Sequence, residues 1–171
     1  MPEVVASDIY PGLTPKQALL RRRMLSPLTW RLFAARKLPS VWFWGVRVRE
    51  LDPRSCSVTM PFGWRTQNPF RSAYFAAQCG AAELSTGALA LLHLAGRPSV
   101  SMLVTRFDSE YYKKAADTLR FVCGDGEAIA AAVAGAVADG EARAVTVVSE
   151  AFLPGGVRAS HFEVTWSFRR K

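Results

Sequence analysis

The stretch NPFRSAYFAAQCGAAELSTG, residues 68–87, decides how the rest of the chain is read. Asn68-Pro69 makes a turn. The segment from about Ser72 to Leu94 is then apolar almost all the way round, and Gly96 and Pro98 stop it. A helix without a polar face has to be enclosed rather than laid on a surface. Its small residues, Ala76, Ala77, Gly80, Ala81 and Ala82, permit close backbone packing. One carboxylate, Glu83, interrupts it two turns in. A lone carboxylate in an apolar site is costly. Glu83 is therefore either paired with an arginine or backbone donors, or retained for chemistry.

Upstream, an irregular lead-in over residues 1–13 gives way to Thr14-Pro15 and Ser26-Pro27. Each pair caps a short helix, the first through about Leu25 and the second through about Lys37. The run VWFWGVRVREL (41–51) is rich in aromatic and β-branched residues and reads as a strand. CSVTMPF (56–62) returns as its hairpin partner across the turn Asp52-Pro53-Arg54-Ser55. Downstream, SVSMLVTRF (99–107) runs toward EYYKKA (110–115), and TLRFVC (118–123) follows a turn at Asp117. The Ala-rich EAIAAAVAGAVA (127–138) is a modest helix. ARAVTVVSEAFL (142–153) and VRASHFEVTWSF (157–168) flank Leu153-Pro154-Gly155-Gly156, a hairpin turn. Strand, strand, enclosed helix and a run of antiparallel strands make an α+β fold. About six strands wrap one long central helix, with residues 1–39 as a helical extension and 40–171 as the main domain.

A chain of 171 residues, half of them hydrophobic, can bury a proper core and is not disordered. Its 22 basic against 14 acidic residues leave +8. That suits an anionic partner (a phosphorylated cofactor, nucleic acid or an acidic membrane surface) or simply a solvated basic surface. Cys56, Cys79 and Cys123 form neither a disulfide framework nor a zinc site, and fit a reducing cytoplasm. Two histidines without clustered ligands argue against a metal, and no P-loop, G-x-G-x-x-G or G-x-S-x-G motif occurs. No apolar run is long enough for a membrane span. Cys79 lacks a base on its own helix, because His93 lies fourteen residues along it, about 21 Å away; only His161, from the last strand, could serve, and nothing in the sequence brings it there. Residues 14–38 contain Arg21-Arg22-Arg23 but no recognition helix after a tight Gly turn, which argues against nucleic acid. These helices are expected to pack over a pocket or a dimer edge through Leu28, Trp30, Leu32 and Phe33.

The order of elements over residues 40–170 resembles the hotdog fold, a curved antiparallel sheet around a long central helix. Within it, NPFRSAYFAAQCGAAELSTG resembles the matching segment of hotdog acyl-CoA thioesterases of the phenylacetate-pathway type. Asn68 matches the loop Asn of that family and Glu83 its helix carboxylate. Where the family has His-Gly-Gly, this chain has Tyr74-Phe75-Ala76, or Phe75-Ala76-Ala77 with a one-residue shift, as in a thioesterase-like branch lacking that motif. EYYKKA resembles the family's strand ending in an aromatic, a basic residue and Ala.

The resemblance implies hydrolysis of an acyl-CoA or acyl-carrier thioester, with Glu83 as general base or nucleophile and Asn68 orienting carbonyl or water. It implies a cytoplasmic homodimer, or a dimer of dimers, in which the carboxylate and the Asn loop come from different subunits. Coenzyme A enters as part of the substrate, with no separate cofactor. The helix start at Tyr74, Phe75 and Ala76 is expected to polarise the carbonyl through free N–H groups. Lys113 and Lys114 are candidates for the phosphates of coenzyme A. The loss of His-Gly-Gly leaves a rival reading, a non-catalytic acyl-CoA or lipid-binding hotdog protein.

Overall fold

The computed structural model of the protein describes residues 12–171; the lead-in expected over 1–13 falls almost wholly outside them. Three helices come first: α1 (Pro15–Leu25), α2 (Pro27–Lys37) and α3 (Pro39–Trp44). Strands β1 (Arg47–Leu51) and β2 (Cys56–Met60) follow, then α4 (Phe75–Leu94), β3 (Val100–Tyr111) and β4 (Leu119–Cys123). The chain ends with α5 (Gly126–Asp139), β5 (Arg143–Phe152) and β6 (Arg158–Arg170). The six strands form one antiparallel sheet in the order β1-β2-β4-β5-β6-β3. It curves around α4, the hotdog arrangement.

The local signals act through identifiable contacts. Thr14 caps α1 in a reciprocal capping box with Gln17, which satisfies donors that a helix start otherwise leaves bare. Proline at the first helical position starts α1, α2 and α3. The aromatic run is where the strand expectation fails: residues 39–44 are helical, and the strand begins only at Arg47. Pro39 presets the helical φ, while Gly45, at φ 72°, ends the turn in a left-handed conformation that only glycine adopts freely. The turn buries Val41 and sends Trp42 and Phe43 to the surface.

Helix α4 lies on the sheet through Ala77, Ala81, Ala82, Ala88, Leu89 and Leu92. Full burial of one such leucine is worth about 1.5–3 kcal/mol. Polar residues on the buried side fix its register. Gln78 donates to the Ala73 carbonyl and accepts from Ser160, at 3.1 and 2.9 Å. Ser85 meets Ser149 at 2.8 Å, and Trp166 Nε1 donates to Thr86 Oγ1 at 3.0 Å. His93 bonds the Pro53 carbonyl at 2.9 Å, tying the end of the helix to the β1–β2 turn. On the other side Trp44 crosses Gly80 so closely that an added Cβ would sit 2.6 Å from its ring. Helix α4 is long and apolar enough to cross a bilayer, but most of it is buried inside the fold.

The three cysteines are free; Cys56 and Cys123 face each other across β2 and β4, and burial raises both thiol pKa values, so neither is a thiolate at neutral pH. On β6, His161 Nδ1 lies 2.7 Å from Glu150, and its Nε2 faces Glu163 at 3.7 Å. The hydrogen bond to Glu150 raises the His161 pKa above 6.5. A raised folded-state value means that the folded protein holds this proton more tightly than the unfolded chain. The stabilisation is complete below about 6.5 and is lost as pH rises through the folded value. Urea midpoints measured from pH 5 to 9 should show that decline, and His161→Gln should flatten it.

Candidate active site

The segment between β2 and α4 is held by its own hydrogen bonds. Asn68 Oδ1 accepts from the amides of Phe70 and Ser72, at 3.0 and 3.2 Å, and from the Ser72 hydroxyl at 3.1 Å. The amide orientation is set by these donors. Arg71 takes a positive φ of 56° inside the turn. The chain then crosses to the segment after β3, where the Ala73 amide donates to the Ala115 carbonyl at 2.7 Å. That bond brings the Asn68 loop against the lysines.

One cleft of about 350 Å³ results, lined by Asn68, Phe75, Lys113 and Lys114 together with Gln78, Tyr111 and Tyr112. Four of the seven expected site residues therefore share a single cavity. Tyr74 and Ala76 flank it at the helix start without lining it, and Tyr74 stacks edge-on against Phe75, ring centroids 5.1 Å apart. Tyr74 occupies the N-cap but makes no side-chain cap bond. The first amides of α4, those of Phe75 and Ala76, precede any intrahelical acceptor and carry the positive end of the helix dipole.

Glu83 is outside this cleft, eight residues along α4 from Phe75, or about 12 Å of helix. The expectation of an enclosed helix needs correcting here. Ala76, Cys79, Gly80 and Glu83 fall on one face, which the fold leaves partly open, and Glu83 is exposed. Trp44 covers Gly80, and the Cys79 thiol lies 3.3 Å from the Tyr111 hydroxyl. Partial desolvation raises the Glu83 pKa above 4.5. Among the described residues no side chain or amide bonds this carboxylate, so the paired, helix-fixing glutamate is not what the structure contains.

Sequence reasoning missed Gln78, Tyr111 and Tyr112 as lining residues. Gln78 carried a readable signal, a polar side chain one turn into an apolar helix; the tyrosines reach the cleft only through the β3–β6 register. In the N-terminal helices, Trp30 is buried and donates Nε1 to the Val46 carbonyl at 2.9 Å. Leu32 and Phe33 line a further cleft with Trp30 and with Leu91 of α4, while Leu28 is 69% exposed.

Among solved structures, a Chlorobaculum tepidum protein of unknown function is 16% identical, with a TM-score of 0.69 over 86% of this chain and 99% of its own. A Pseudomonas aeruginosa protein of unknown function, called a probable thioesterase, is 20% identical at a TM-score of 0.70, covering 87% and 99%. A Haemophilus influenzae thioesterase is 12% identical at 0.60, covering 88% and 95%. At these identities the likeness establishes the fold. No curated protein matches the chain. A family model does, over residues 29–149, a span holding the Asn68 loop, the whole of α4 and both lysines. The chain belongs to the family described as the domain of unknown function DUF4442.

Proposed function

We propose that this chain is a thioester hydrolase acting on an acyl-CoA or acyl-carrier substrate as a homodimer, with Glu83 as general base or nucleophile. One observation carries the reading. The other polar side chains along α4, Gln78, Ser85, Thr86 and His93, each have a structural partner. Glu83 has none among the described residues, and its raised pKa makes it a better base than an ordinary surface glutamate. In the base mechanism Glu83 takes a proton from water as the oxygen attacks the thioester carbonyl. The C–S bond then breaks, the thiol leaves with that proton, and the acid is released. Amides at a helix start suit the oxyanion that develops.

Two features support the dimer. Strand β3 is twelve residues long, contains no proline and pairs on one side only, with β6, so its outer edge offers bare backbone groups. Glu83 is itself exposed on α4. As the resembled family implies, a second copy would supply its Asn68 cleft to this carboxylate, which lies about two turns of helix from the cleft of its own chain. The thioesterase names of structural neighbours support the class.

The rival reading, a non-catalytic acyl-CoA or lipid-binding protein, draws on Ala76 and Ala77, whose methyls stand at the helix start where the resembled family has glycine. Thiol release from short-, medium-, long-chain and aryl acyl-CoAs tests the proposal, alongside the mass in solution. Turnover of at least one thioester by a dimer is expected. A dimer that binds acyl-CoA without releasing thiol would favour the binding protein.

A further inference from the structure

Residues 12–49 hold nine of the 22 basic residues and none of the 14 acidic ones. This positive region meets the loop before α4 at a second cleft of about 240 Å³, lined by Trp30, Arg31, Trp42, Gly45, Arg47 and Arg65. The three arginines come from α2, from β1 and from the loop after β2, so the fold gathers them rather than a basic run in sequence. No carboxylate lines the cleft. Arg106, Arg120, Arg143 and Arg158 each have an acidic partner, whereas Arg31, Arg47 and Arg65 have no ion pair or hydrogen bond among the described residues.

The walls are fixed. The Trp30–Val46 hydrogen bond ties α2 to the start of β1, and Phe43 packs edge-on against Trp64 at 5.7 Å. Thr66 Oγ1 donates to the Pro61 carbonyl at 2.8 Å, closing the loop that carries Arg65. Gly45, with its positive φ, forms part of the floor. A methyl there would approach Pro61 Cγ to 3.3 Å and Arg65 Nη2 to 3.8 Å. Three like charges around one cavity repel each other until an anion enters. Guanidinium forks match the oxygens of phosphate in geometry and charge. Whole small-molecule pockets run to about 300–1,000 Å³, so this volume suits a head group rather than an acyl chain. Trp42, half exposed at the rim, offers a ring face on which a planar base can stack.

We propose that this cleft binds the phosphomonoester dianion of a nucleotide-like ligand, with Arg31, Arg47 and Arg65 on the phosphate and Trp42 against the attached ring. The proposal is separate from thioester hydrolysis and is read by binding, without turnover. The probes are adenosine 3′,5′-bisphosphate, adenosine, and vesicles containing phosphatidic acid, followed by calorimetry and by flotation. The bisphosphate should bind and adenosine should not, with affinity falling as salt rises. Arg47→Gln and Arg65→Gln should each weaken binding about tenfold, and Arg47→Lys less. Arg106→Gln, outside the cleft, should bind as wild type. All three cleft arginines are exposed, so the variants should melt with wild type. Absence of bisphosphate binding by wild type, or wild-type affinity in both glutamine variants, overturns the proposal. Vesicle binding lost in those variants, without bisphosphate binding, would also overturn it and assign the cleft to a lipid head group.

Discussion

Glu83→Gln should lower thioester turnover by about 10²–10⁴-fold, the usual worth of a positioned acid–base group, while leaving the protein at least as stable as wild type at pH 8. The two halves of this result share one cause. Partial desolvation raises the Glu83 pKa, so the folded protein binds its proton more tightly than the unfolded chain does. Between 4.5 and the raised value the folded state carries the extra proton, and stability falls as pH rises through that window. Glutamine cannot ionise and should remove this decline. Turnover should run the opposite way in wild type, rising with pH as the base loses its proton. A pH–rate profile and urea midpoints at pH 4 and pH 8 measure both. A glutamine variant that unfolds, or one that turns over like wild type, would sink the assignment and return Glu83 to the structural residues.

Phe162→Ala should cost about 3–5 kcal/mol in chemical denaturation, the range for removing a fully buried aromatic ring. Phe162 is fully buried on β6, with its ring about 6 Å from three others: Phe107 and Tyr111 on β3, and Phe121 on β4. The cluster therefore ties the edge strand to the middle of the sheet beneath α4. Since Tyr111 also lines the Asn68 cleft and meets the Cys79 thiol, the cavity should loosen the site as well as the core. Phe162→Leu refills most of the volume and should recover much of the loss. A cost below about 1 kcal/mol for the alanine variant would show that the sheet does not depend on this ring cluster.

The elements legible in the sequence were those whose causes are local. The Thr14 box, the prolines opening α1 and α2, the Pro-Gly-Gly turn between β5 and β6 and the apolar length of α4 need only neighbouring residues. The aromatic run at 41–44 was misread because β propensity reports half-buried, pleated surface, and Pro39 with Gly45 overrode it within six residues. The site was legible in part. Asn68, Phe75 and the lysines were identified by resemblance, yet their meeting depends on the Ala73–Ala115 hydrogen bond between segments forty residues apart. The exposure of Glu83 depends on how little beyond Trp44 covers the face of α4 turned away from the sheet, which no periodicity reveals. The Arg31–Arg47–Arg65 cleft was invisible for the same reason.

The three hydrogen bonds that Asn68 Oδ1 accepts have a further consequence. They occupy the acceptor half of this side chain with the loop's own backbone and hydroxyl, leaving the NH₂ as the half able to serve a ligand. Asn68 is thus a one-way group: it can give hydrogen bonds to an oxygen that is gaining charge but has little capacity left to draw a proton away. Aspartate would preserve the fold of the turn and reverse that polarity, so scaffold and reactivity are divided between the two ends of a single amide.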